Sequence, residues 1–156
     1  MKHFPPKVVV VATDLSEASQ SAIDAAAWLA EAHGATLHLV HVYDPLPFHA
    51  PTALQGPSRA MEEAAAEVRA GAAKALEELR AARLAELDVE THELSHDDPG
   101  EAIAEHAQTS KADLSVVGSH GRRGLRRMLL GSVAERVSRL ARCPVLVVRP
   151  EGETPP

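Results

Sequence analysis

The 156-residue chain contains a single cysteine, Cys143, and aromatic residues make up only 3% of it. One cysteine excludes an internal disulfide and a metal site made of several thiolates, and its position before Pro144 favours a buried structural thiol. Proteins that bind nucleic acid usually combine a broad basic face with aromatic side chains that stack on bases. The scarcity of aromatics and the net charge of −6 therefore argue against nucleic-acid binding.

Long hydrophobic runs are also missing. No apolar stretch approaches the roughly 20 residues that span a bilayer, and the N-terminal MKHFPPK is too short and proline-rich to begin a signal peptide. We therefore expect a cytoplasmic protein that does not associate with membranes. The length and the 45% of hydrophobic residues predict one domain over residues 1–150, followed by a disordered tail at 151–156.

The histidines show no strong metal-binding pattern. His92 and His96 are a close pair, but they lie on an expected strand and the turn after it, where their side chains need not converge. His38 and His41 fall inside another expected strand, where neutral imidazoles with local hydrogen bonds are the expected arrangement. The sequence thus predicts no metal site made of protein ligands.

Strand and helix signals alternate along the chain. The run VVVVA within residues 7–13 is continuously apolar and β-branched, which is typical of a strand covered on both faces in a parallel sheet. Further strands are expected at 36–42, 89–94, 113–117 and 145–148, and helices between them. Right-handed crossovers then predict a doubly wound, Rossmann-like α/β domain with helices on both faces. Its five-stranded parallel sheet has the order 3-2-1-4-5, with the polar third strand at one edge.

Residues 43–57 contain four prolines and no usable periodicity, so they are expected to form a long irregular connection. Such a loop is either a lid over a ligand or a tolerated surface insertion, and both interpretations stay open. The long helix of the following crossover is expected over residues 58–87.

Glycines are concentrated where the fourth strand ends. Gly118, Gly121, Gly131 and Ser132 have the spacing G-x2-G-x9-G-S, which lets backbone N–H groups approach a phosphate and places them before a helix N-terminus. Residues 118–149 hold eight arginines against one glutamate, which favours an anionic ligand. Asp14 follows the first strand, and the carboxyl ends of the central strands meet at the ligand-binding edge of such sheets. A phosphate cradle beside a carboxylate is therefore predicted.

The segment ADLSVVGSHGRRGLRRMLLGSVAERVSRLARCPVLVVR, together with VVVVATDLSE and LHLVHVYD nearer the N-terminus, resembles the ATP-binding branch of the universal stress protein family. The resemblance implies that Gly118, Gly121, Gly131 and Ser132 bind the phosphates and ribose of ATP. It implies that Asp14 and Val42 contact the adenosine part, and that Val117 and Val133 flank the site. Mg²⁺ or Mn²⁺ is expected with the triphosphate, held mainly through phosphate oxygens and water.

The function expected from this resemblance is an ATP-binding stress-response or signalling module whose nucleotide state modulates its interactions. Turnover is expected to be slow or absent, because no group that would position an attacking water is evident beside the cradle. One alternative is a slow ATP-hydrolysing or nucleotide-transferring enzyme. Another is a nucleotide-free structural or chaperone-like module.

The last strand predicts self-association. Val145, Leu146, Val147 and Val148 would form an apolar, unpaired sheet edge, which natural proteins normally cover. Pairing of residues 145–149 with a second copy would cover it, as would a loop. The resemblance implies the homodimer.

Overall fold

The computed structural model describes residues 4–44, 59–120 and 130–150. They form a single α/β domain whose five strands are all parallel, in the predicted order β3-β2-β1-β4-β5. The elements are β1 (Val8–Ala12), a 3₁₀ turn (Glu17–Ser19), α1 (Gln20–His33), β2 (Thr36–Tyr43), α2 (Arg59–Arg83), β3 (Val89–Ser95), α3 (Pro99–Thr109), β4 (Leu114–Gly118), α4 (Ser132–Leu140) and β5 (Val145–Val148). Most of the proline-rich loop and the tail at 151–156 lie outside the described residues.

The central strand β1 is covered on both sides. Val9, Val10 and Val11 are each 0% exposed. Because successive side chains of a strand point to opposite faces, Val9 and Val11 pack in the apolar cluster under α1 and α2, whereas Val10 packs in the cluster under α3 and α4. Burial on both faces explains why this strand is continuously apolar instead of alternating.

The start of α1 differs from the prediction. Ser16 stands at the predicted N-cap position, but the turn that it precedes is a 3₁₀ turn at Glu17–Ser19, and the α-helix begins only at Gln20. The Ser16 hydroxyl donates to the Asp14 carboxylate and does not cap the helix. The start of α3 is confirmed, since Asp98 accepts a 3.0 Å hydrogen bond from the Glu101 N–H and Pro99 is the first helical residue. The Glu101 side chain does not complete the predicted capping box; it contacts Arg136 on α4.

The long crossover helix α2 ends at Arg83, before the predicted end at residue 87. Its 25 residues span about 37 Å, whereas the seven-residue β3 on which it packs spans about 23 Å. The sheet therefore covers only the second half, where Ala72 and Leu76 are buried, and Val68 in the first half is 41% exposed. No helix in the described ranges, α2 included, has the length and apolar character needed to cross a bilayer.

Candidate functional site

The turn after β1 is held in a strained conformation at the carboxyl edge of the sheet. Leu15 has φ 63°, a left-handed backbone that costs a residue with a side chain roughly 1–2 kcal/mol. The Leu15 N–H donates to the Thr13 hydroxyl at 3.0 Å, and that hydroxyl lies 2.8 Å from the Ser19 hydroxyl. The Asp14 carboxylate accepts from the backbone N–H of Ser16 at 3.0 Å as well as from its hydroxyl. Such maintained strain is typical of ligand-binding turns.

Ser119 joins the two ends of the glycine-rich segment. Its N–H donates to the Val148 carbonyl at 2.7 Å, and its carbonyl accepts from the Gly131 N–H at 2.7 Å. The chain therefore leaves β4 at Gly118 and returns at Gly131 to the same place. Any Cβ at Gly131 would lie 2.8 Å from the Ser119 carbonyl oxygen, so this return requires glycine. Gly121 lies outside the described residues.

The return places the N-terminus of α4 at this edge. Gly131 is the N-cap residue and has no side chain to cap the helix, so among the described residues its first N–H groups and the positive end of its dipole are available to an anion. Ser132, the first helical residue, is exposed. These features are those of a phosphate-binding helix N-terminus.

The residues that the resemblance assigns to the adenosine part, Asp14 and Val42, lie at the same edge. Ala12 pairs with Val40 in the β1–β2 register, and the Thr13 N–H donates to the Val40 carbonyl at 2.8 Å, so Asp14 and Val42 extend past the same point on neighbouring strands. His41 adds a second link, with its Nδ1 2.9 Å from the Thr13 carbonyl.

The valines predicted to flank the nucleotide are part of the core. Val117 is 2% exposed, and the half-buried Val42 and Val133 pack against the same apolar cluster. Any contact of Val117 with a ligand must therefore be made by its backbone. The structure thus brings together Asp14, Val42, Val117, Gly118, Gly131, Ser132 and Val133 at one edge of the sheet.

The described arginines of α4 are paired with acidic side chains. The Arg136 Nε donates to Asp98 at 2.9 Å, and Arg139 pairs with Glu135. The Glu101 N–H, with Arg136 next to it, holds the pKa of Asp98 below its usual range. Arg136 thus ties α4 to α3. The arginines at 122, 123, 126 and 127 lie outside the described residues.

Sequence reasoning missed the hydroxyls that hold the site together. Thr13, Ser19 and Ser119 are at most 5% exposed, and their hydrogen bonds fix the two turns. The Ser119 hydroxyl also lies 3.0 Å from His120 Nδ1, so His120 braces the turn. The signal was present, since a short polar residue directly after a buried strand often bonds to its own turn.

The model of the universal stress protein family matches residues 6–149. The chain belongs to the universal stress protein family. It is 38% identical to universal stress protein MJ0531 of Methanocaldococcus jannaschii over 92% of this chain and 82% of that protein. The solved structure of hypothetical protein MJ0577 is 25% identical and superimposes with a TM-score of 0.78, covering 94% of this chain and 98% of the other. A universal stress protein solved in complex with cAMP is 31% identical, with a TM-score of 0.63 over 92% of this chain and 97% of its own.

Proposed function

We propose that this universal stress protein binds ATP at the carboxyl edge of its sheet and that the bound nucleotide modulates its interactions with a protein partner. The observation that carries the proposal is the Ser119–Gly131 hydrogen bond, which brings a helix N-terminus with glycine at its N-cap back to the end of β4. The 3₁₀ turn at Glu17–Ser19, which follows Asp14, contacts the same strand. An anion-binding end beside a carboxylate suits a ligand with phosphates at one end and hydroxyl or amine groups at the other.

The relative solved with cAMP supports an adenine nucleotide as the ligand class. The triphosphate is favoured here because the first N–H groups of α4 and the positive end of its dipole suit a multiply charged anion. Mg²⁺ or Mn²⁺ would bind mainly to the phosphates. A cytoplasmic location and a homodimer through β5 belong to the same proposal.

Slow hydrolysis also belongs to the proposal. The Asp14 carboxylate already accepts two hydrogen bonds from Ser16, and the imidazole of His120 is engaged by Ser119. A fast ATPase needs a group that orients the attacking water, and the two candidates among the described residues, Asp14 and His120, are held in the turns. We expect phosphate release far below the roughly 1–100 s⁻¹ of kinases.

The test is a calorimetric titration with ATP and Mg²⁺, with cAMP as a second ligand. Gly131→Val is unsuitable alone, because a Cβ there meets the Ser119 carbonyl and disturbs the fold. Ser132→Glu is sharper: a carboxylate in the first turn favours the helix by about 0.3–1 kcal/mol but repels the phosphates, so the affinity for ATP should fall at least tenfold.

Ser138→Glu is the matched control. It adds the same charge to an exposed position of α4, about 9 Å further along the helix, and should leave the affinity nearly unchanged. Equal affinity of wild type and Ser132→Glu for ATP would contradict the cradle. Tighter binding of cAMP than of ATP would keep a nucleotide site but contradict the triphosphate, and steady turnover within the kinase range would make the protein an enzyme.

A further inference from the structure

Three histidines that are distant in sequence meet on the sheet face covered by α3. His38 on β2 and His92 on β3 point to the same face, and His106 reaches them from the helix. The ring centroids lie 4.8 Å apart for His38 and His92, 4.4 Å for His92 and His106, and 5.3 Å for His38 and His106. One ring nitrogen from each lies within 4.8 Å of the other two. We call these residues the histidine cluster.

Hydrogen bonding within the protein does not account for the cluster. His38 Nδ1 and His106 Nε2 are 3.1 Å apart and share one hydrogen bond. His92 Nε2 is buried and makes no hydrogen bond within the described part of the chain, although a Glu90 carboxylate oxygen lies 3.4 Å away in a geometry unsuited to one. A buried polar atom without a partner is rare in native proteins and requires an explanation.

We propose that His38, His92 and His106 bind a divalent transition-metal ion of the zinc class, with Glu90 as the fourth ligand. The carboxylate is close enough to close the site, since one Glu90 oxygen lies 3.4 Å from His92 Nε2. Its side chain is 57% exposed, so it has room to rotate onto an ion. Three imidazoles and one carboxylate are a ligand set that Zn²⁺ accepts in proteins.

The spacing of the nitrogens fits tetrahedral coordination after a small adjustment. Zinc–nitrogen bonds of about 2.0–2.1 Å place two ligating nitrogens about 3.3–3.4 Å apart. His38 Nδ1 and His106 Nε2 are already 3.1 Å apart. Because all three lie within 4.8 Å, the remaining approach is at most about 1.5 Å, which side-chain rotation can supply.

The protonation state is also suitable. Burial, together with repulsion from His92 and His38, lowers the pKa of His106 to about 4, and burial with repulsion from His92 lowers the pKa of His38. Both imidazoles are therefore neutral at pH 7, as a metal ligand must be. A surface depression lined in part by Glu105 and His106 opens to solvent beside the cluster.

This site is separate from the nucleotide edge. His38 precedes Val42 by four residues on β2, which corresponds to about 13 Å along the strand. Imidazole ligands select zinc-class ions, whereas Mg²⁺ prefers oxygen ligands and phosphates. With four protein ligands from β2, β3 and α3, the ion would join the edge strand β3 to the rest of the domain, a structural role.

The experiment measures Zn²⁺ binding to untagged, nucleotide-free protein that has been stripped with a chelator. We expect one equivalent of Zn²⁺ to bind in competition with a colorimetric chelator and to raise Tm. We also expect Co²⁺ to give the intense visible absorption of a tetrahedral site. His106→Gln should weaken Zn²⁺ binding at least about 100-fold. Replacing a residue that only holds a ligand in place costs up to about 100-fold, and His106 is itself a proposed ligand. Glu90→Gln should weaken Zn²⁺ binding at least about tenfold, because a neutral amide oxygen replaces the charged ligand.

Two histidine variants serve as controls. His33→Gln removes an exposed histidine on α1, and His96→Gln removes the neighbour that sequence spacing pairs with His92; both should bind Zn²⁺ like the wild type. Circular dichroism of His106→Gln checks that it folds, and a Co²⁺ spectrum of Glu90→Gln provides a readout in a variant that keeps all three rings. Absent binding, an octahedral Co²⁺ spectrum, or equal affinity in wild type and a folded His106→Gln would each overturn the proposal and leave a stacked cluster of neutral histidines.

Discussion

The two faces of the sheet are built differently, although the same five strands form both. Under α1 and α2 the face is filled by aliphatic side chains such as Leu37, Leu39 and Leu76. Under α3 and α4 the centre is also aliphatic, but the buried polar side chains within the described strands, His38 and Ser115, both belong to this face. Ser115 lies 3.3 Å from the sulfur of Cys143, which is half-buried and not fully buried as predicted. One face thus provides stability, and the other combines stability with polar side chains, including the proposed metal ligand His38.

Neighbouring residues of β2 give the largest expected contrast. Leu39 is 0% exposed on the aliphatic face, and Leu39→Ala should lower the free energy of unfolding by about 2–5 kcal/mol, because it removes buried methyl groups and leaves a cavity. The double variant His38→Leu, His106→Leu replaces both partners of a buried hydrogen bond with apolar groups and should change it by less than about 1 kcal/mol.

Urea unfolding of metal-free protein measures both. A double histidine variant as destabilised as Leu39→Ala would show that the histidines hold the fold as strongly as the aliphatic core does, and the distinction between the faces would be lost.

The features that could be predicted from the sequence are those encoded by residues close together in the chain. The β-branched run of β1, the Asp98-Pro99 helix start and the spaced glycines are each local features of the chain. The strand order, which the structure confirms, and the proposal of a phosphate-binding edge both followed from such signals. The histidine cluster could not be found in this way, because its members come from β2, β3 and α3 and meet only through strand register and helix packing. The pair with suggestive spacing, His92 and His96, does not converge; His96 instead accepts from the Asp98 N–H.

The packing between helices could not be predicted from the sequence either. A Cβ at Gly100 would lie 2.4 Å from the Cβ of Arg136, so this glycine allows α3 and α4 to approach each other. Leu140 shows the converse, since helical spacing predicts it to face the core, but it is 38% exposed at the end of α4. Periodicity identifies a helix and its apolar side, whereas the neighbouring elements decide how much of that side is covered.

A smaller effect should separate the faces by pH. Folding lowers the pKa of His106 to about 4 and lowers that of His38, while an unfolded histidine titrates near 6.5. Between these values the unfolded chain binds more protons than the folded chain, so stability rises with pH and is lost as pH falls from about 6.5 towards 4. Repulsion from His92 helps to lower the pKa of His38, whereas the nearby carboxylates Glu90 and Asp88 raise it.

The check is the urea midpoint of chelator-treated protein between pH 7 and 4.5. The double leucine variant lacks both lowered groups and should show a flatter dependence, while Leu39→Ala should be destabilised by the same amount at each pH. Parallel curves for wild type and the double leucine variant would contradict the prediction.

The smallest effect on the fold concerns the sheet edge at β5. In the described residues β5 pairs only with β4, and Leu146 is 37% exposed there. If β5 pairs with its copy in a homodimer, Leu146→Lys should raise the dimer dissociation constant at least tenfold, because it places two like charges at the contact. It should change monomer stability by no more than about 0.5 kcal/mol, as expected for a surface position.

Val147→Lys is less informative, since Val147 packs against the α3–α4 face and its loss would also weaken the fold. Sedimentation equilibrium at micromolar concentration distinguishes the outcomes: a monomeric wild type removes the homodimer, and a dimer unaffected by Leu146→Lys moves the contact to another surface.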